Sequence, residues 1–154
     1  MTIRNRNLLR IALVVGLAAG CGRDLTDDPI PFLSFPNVTI NLGFPEYLAL
    51  SQDRGFKNIS VVSGVSIGVR GVIIYRVNSA LYNVFEVNCS YHPNDAAANI
   101  SMHPSGLFLQ CSGCGSNFNP ADGNPTGGVA WRPLRRYRND LSGSYLTITS
   151  EIAN

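Results

Sequence analysis

Cys89-Ser-Tyr-His92 and, after eighteen intervening residues, Cys111-Ser-Gly-Cys114-Gly-Ser-Asn-Phe118 decide how this chain is read. Each begins with a pair of donors separated by two residues, which puts both donors of a pair on one tight turn facing a common centre. Thiolates and imidazole at that spacing suit tetrahedral zinc or an iron-sulfur cluster. The candidate ligands are therefore Cys89, His92, Cys111 and Cys114. A second reading stays open, in which Cys111 and Cys114 form a disulfide, Cys89 is a buried thiol and His92 is incidental. His103, in Ser101-Met-His-Pro104, reads as a turn residue.

Outward from these pairs, short β-branched or aromatic runs alternate with Gly, Pro, Asn and Ser. Strands are expected over 38–42, 59–62, 71–77, 82–87, 106–110, 134–138 and 145–149. Phe44 to Leu50 has room for one helical turn or two, and no longer helical periodicity follows. Regular strands with punctuated turns imply an all-β fold, a small antiparallel sandwich or barrel. The stretch 88–131 departs from strand patterning and holds three of the four cysteines. A loop region that long is expected to be functional and to need an internal staple.

Cys111-Ser-Gly-Cys114-Gly115-Ser116-Asn117-Phe118, Asp122-Gly123 and Arg132-Pro133-Leu134-Arg135-Arg136-Tyr137 together resemble the second cluster loop of Rieske proteins and its sequel. Cys89 lies where the family's first C-x-H begins. The resemblance implies a Rieske-type β fold over residues 37–154, with metal-binding loops at about 88–131, and a [2Fe-2S] cluster that transfers electrons. Three departures accompany it. Cys114 stands where the family has its second-loop histidine, and Tyr91 holds the first-loop histidine position by register, with His92 the better ligand by chemistry. Gly113 stands where some members have half of a loop-bridging disulfide. Three thiolates would give the oxidised cluster a formal charge of about −1, moving its potential from the Rieske range of about −150 to +300 mV toward the ~ −400 mV of plant-type sites. The resemblance further implies that Ser116 donates a hydrogen bond to a cluster sulfur, whereas Phe118 has no hydroxyl to add another.

The N-terminus reads differently. Arg4, Arg6 and Arg10 precede the apolar run Ile11 to Ala19, which ends in Ala18-Ala19-Gly20 before Cys21. Nine residues rise roughly 14 Å as a helix, about half a bilayer core, so this is a signal peptide and not a span. Leu17 to Cys21 resembles a lipobox, which implies lipidation at Cys21 and a bacterial envelope lipoprotein anchored in the membrane without a spanning element. Residues 1–20 are thus the signal and 21–36, with three aspartates and three prolines, a tether. Removing the three signal arginines from twelve basic residues leaves nine against ten acidic ones, so nucleic-acid binding has no global electrostatic support.

A membrane-bound redox partner is the expected associate. No Ser-His-Asp set, carboxylate pair or phosphate loop is recognisable, so neither a substrate nor catalysis by the chain alone is expected. Arg132, Arg135, Arg136 and Arg138 read as a solvated basic face on an edge strand, and Trp131 and Tyr137 as packing residues. Zinc is the alternative metal. Arg4 and Arg6 are separated by Asn5, unlike a twin-arginine signal, and passage of an unfolded chain leaves a cytoplasmically assembled cluster behind.

Overall fold

The computed structural model describes residues 28–154, so the signal segment, Cys21 and the start of the tether lie outside the described residues. In chain order the strands are β1 (Val38–Asn41), β2 (Phe56–Ile59), β3 (Val61–Val62), β4 (Val65–Ser66), β5 (Val72–Asn78) and β6 (Leu81–Glu86). Then follow β7 (Ile100–Met102), β8 (Leu109–Cys111), β9 (Asn117–Phe118), β10 (Pro125–Gly127), β11 (Arg136–Ser142) and β12 (Tyr145–Ile152). A 3-10 helix over Pro45–Ser51 occupies the expected helical turn and starts on its proline, whose fixed φ and missing N–H suit a first helical position.

Six strands make the main antiparallel sheet in the order β1-β12-β11-β6-β5-β2, and four short ones make a second sheet, β10-β9-β8-β7. The hairpin β5–β6 separates two cores. In β5, Val72, Ile73, Ile74 and Tyr75 are all buried, and a strand's side chains alternate between faces. Val72 and Ile74 pack with Val38, Ile40, Val84, Leu146 and Ile148. Ile73 and Tyr75 turn the other way, toward Phe85, Ile100, Leu109, Phe118 and Leu134. Each fully buried isoleucine or leucine contributes about 1.5–3 kcal/mol. The second core is therefore a strong attachment of the small sheet to the large one.

Several expected elements are moved. The run 59–62 is not one strand: β2 ends at Ile59, and Val61-Val62 pairs with Val65-Ser66 as a separate ribbon. Ser63 and Gly64 at its tip both have positive φ, 50° and 83°, the geometry of a tight two-residue hairpin. The stretch 88–131 is not bare loop, since it contains β7 to β10; strands of two or three residues are too short to show a period. Leu134 is a buried core residue outside any strand, and the strand begins at Arg136. That strand, β11, lies between β12 and β6, so its arginines are not on an edge.

Residues 28–36, assigned to the tether, meet the domain. Phe35 is buried and packs edge-on to Tyr137, with ring centroids 5.4 Å apart. Arg132 Nη1 donates to the Asp28 carbonyl (2.8 Å), and Arg135 donates to the carbonyls of Ile30 and Pro31.

Candidate metal centre

Two turns carry the thiols, one after β6 of the main sheet and one after β8 of the small sheet. Cys89 follows β6, where an isolated bridge pairs Asn88 with Asn99 and the Cys89 amide donates to the Ala98 carbonyl at 3.1 Å. Cys111 ends β8, and the chain then turns through Cys114 to Gly115. The Gly115 amide donates to the Cys111 carbonyl (3.0 Å) and the Cys111 amide to the Ser116 carbonyl (2.9 Å). Gly115 has a φ of 68°, the left-handed conformation that a side chain disfavours. Glycine after the second cysteine is what lets this knuckle close.

The two turns converge. Cys89, Cys111 and Cys114 have sulfurs that all lie within 4.8 Å of one another, and Cys89 Sγ is 3.7 Å from Cys114 Sγ. No disulfide joins them, so the Cys111–Cys114 bridge of the second reading is not formed. Cys89 and Cys111 are buried and Cys114 is partly exposed, which sets the group just under the surface. The His92 ring is not part of the group; it stands edge-on to Tyr91, centroids 4.4 Å apart.

Electrostatically, the pocket favours the sulfur anion at Cys89 and disfavours it at Cys111. A hydrogen bond from the Cys111 thiol holds the Cys89 thiol below its ordinary range; burial opposes this, and the His92 and Tyr91 amides reinforce it. Cys111 is pushed up, first as the donor in that bond and then by burial, against a backbone hydrogen bond from Cys114. Backbone N–H groups aimed at sulfur replace the hydration a buried thiolate loses. Three soft donors so arranged fit a thiophilic metal ion.

Ser116 supports Cys114. It is fully buried, and its Oγ accepts from the amides of Val129 (3.1 Å) and Ala130 (2.9 Å). The Cys114 thiol donates to the same oxygen at 3.2 Å; once Cys114 is a thiolate, the hydroxyl proton is free to point to sulfur. A third loop thereby closes over the second. Gly128 makes the approach possible, since a Cβ there would fall 2.6 Å from Ser116 Cα. Gly113 lies against Ala98, whose Cβ is 2.8 Å from where a Cβ on Gly113 would be.

Residues that the sequence reading passed over hold the first loop. Arg70 Nη1 donates to the carbonyls of Asp95 (2.7 Å) and Ala98 (3.3 Å) and to Asn99 Oδ1 (3.3 Å), and Nη2 donates to the Pro93 carbonyl (3.3 Å). Glu86, fully buried, accepts from the amides of Val69 (2.8 Å), Arg70 (3.2 Å) and Asn88 (3.3 Å) and from Tyr137 Oη (2.7 Å). The available signal was a lone acid on the inward face of β6, in phase with Tyr82 and Val84. Tyr137 is thus a packing residue, as expected, and also a donor. His103 is a turn residue: its Nδ1 is 2.8 Å from Ser105 Oγ, and its amide pairs with the Phe108 carbonyl.

No family model matches the sequence, and neither does any curated protein. Among solved structures, the chain is similar to one in the complex of reduced oxygenase and oxidized ferredoxin in carbazole 1,9a-dioxygenase, at 16% identity and a TM-score of 0.44, over 67% of this chain and 87% of that one. It is similar to the ferredoxin of carbazole 1,9a-dioxygenase from Nocardioides aromaticivorans IC177, at 18% identity and a TM-score of 0.44, over 65% and 88% of the two chains. The Sphingomonas yanoikuyae B1 ferredoxin gives 16% identity and a TM-score of 0.43 over 64% and 87%. The chemistry of the site stands on this chain's own thiols. The described residues form an antiparallel all-β fold whose two cysteine-bearing turns bring three thiols together.

Proposed function

We propose that this chain is a Rieske-like electron-transfer protein of the bacterial envelope, with iron held by Cys89, Cys111 and Cys114 and a lipid anchor at Cys21. The convergence of three thiols from two separate turns within 4.8 Å carries the proposal. Both the [2Fe-2S] cluster that the motif resemblance implies and a single thiolate-bound iron exchange one electron. The chain's part is to bind the metal, to shield Cys89 and Cys111, and to leave Cys114 near the surface, where an electron has little protein to cross.

Anchoring fits the same role. Asp28 meets the first loop through Asn94 (3.3 Å) and the third through Arg132 (2.8 Å). Cys21 is seven residues earlier, so a chain of about 3.4 Å per residue keeps Asp28 within roughly 25 Å of a lipid attached there. The metal-bearing end would then face a membrane-bound redox partner.

The test is the full-length protein purified anaerobically. Iron and a visible absorption that changes with redox state are expected, with a paramagnetic signal in the reduced state from a two-iron cluster or in the oxidised state from a single iron; an iron-free, folded protein sinks the redox role. Zinc in the same site is the second reading. The thiols fit it equally, and among the described residues no disulfide staples the three loops, so the ion would serve to hold them together.

A further inference from the structure

Given such a metal centre, we infer that it contains one ion bound by three thiolates, with His92 outside the ligand set, and not a two-iron, two-sulfide cluster. The distances between sulfurs decide it. Thiolates about 2.3 Å from a shared tetrahedral ion stand ~3.8 Å apart. Cys89 and Cys114 are 3.7 Å apart, and no pair of the three exceeds 4.8 Å.

A two-iron cluster divides three thiolates two and one. The lone thiolate then has the iron-sulfide core between it and both of the others, which puts it roughly 5–6 Å or more from each. Whichever cysteine is given that place, two sulfur pairs are too short, and with Cys89 or Cys114 there the shortfall includes the 3.7 Å pair. Opening the group would part contacts that seat the loops on one another. Gly113 lies against Ala98 and Gly128 against Ser116, with no room for a Cβ at either, while Arg70 ties the first loop at four acceptors. His92 supplies its backbone amide to Cys89, and its ring remains outside the group. One coordination position is left for water or another small donor.

Full-length protein in detergent, reconstituted anaerobically with ferrous iron and sulfide and separately with zinc, tests this by metal and acid-labile sulfide content. One metal per chain with no labile sulfide is expected from both. His92→Ala should keep that stoichiometry and Cys114→Ser should bind the ion at least tenfold more weakly, with circular dichroism showing that both variants fold. Two irons and two sulfides per chain would overturn the single ion while leaving electron transfer intact, and His92→Ala losing metal as fully as Cys114→Ser would overturn the three-thiolate set. One zinc with no uptake of iron would uphold the single ion and sink electron transfer. No metal of either kind would sink both.

Discussion

Ser116 and Tyr137 show how much single side chains carry near the thiols. Replacing Ser116 with alanine strips the Val129 and Ala130 amides of their acceptor and Cys114 of its neighbour. Since unmade buried hydrogen bonds cost about 1–3 kcal/mol each, Ser116→Ala should lower the denaturant midpoint by at least that of one bond. In the metal-loaded protein it should also weaken metal retention, measured by competition with a chelator; an unchanged midpoint and retention would remove Ser116 from the site. Tyr137 Oη donates to buried Glu86, and Tyr137→Phe should cost about 1–3 kcal/mol by the same reasoning. Burial first and the Glu86 bond second push the Tyr137 phenol well above its ordinary 10.0. The folded state thus keeps a proton that the unfolded chain gives up. The resulting stability is whole below pH ~10 and is lost as pH rises through the folded value. Alkaline unfolding curves should therefore be steeper for the parent than for Tyr137→Phe; parallel curves would contradict that linkage.

At the scale of elements, the first loop is held by a neighbour distant in sequence. Arg70 sits between the ribbon β3–β4 and β5, its amide fixed by Glu86 and its guanidinium spread over Pro93, Asp95, Ala98 and Asn99. Charged donors to carbonyls are among the stronger hydrogen bonds. Arg70→Ala should lower stability by about 1–3 kcal/mol and loosen residues 89–99, seen as faster amide exchange there and unchanged exchange in β11 and β12. Uniform acceleration through both sheets would mean that Arg70 supports the whole domain instead. This element-level device explains why residues 88–131 looked unsupported in sequence. The strands β7 to β10 are brief, and their stability comes from Ile100, Leu109 and Phe118 packing on β5 and β6, not from local pattern.

For the whole molecule, two cores on opposite faces of one hairpin predict two levels of stability. The core around Ile74, Val84 and Leu146 contains no cysteine, whereas the core around Ile73 and Phe85 includes Cys89 and Cys111. Metal removal should therefore abolish protection in β7 to β10 and their loops while the main sheet keeps its slow amides, since regions open locally according to their own contacts. A single transition for all strands on chelation would show the two cores to be one cooperative unit.

The sequence by itself determined the all-β class, most of the long strands, and the cysteine pairs as the place to look, because alternation and donor spacing are local properties. Gly115 and Ser116 were legible as part of that motif. The Gly113–Ala98 contact, Glu86 and Arg70 were not, because each acts on a partner a dozen or more residues away. Tertiary structure alone decided that three sulfurs meet and the His92 ring stays apart, and that the arginines near Tyr137 grip the preceding chain. Which donors share a centre is fixed by how two sheets pack across β5 and β6, and spacing along one strand contains no record of that distance.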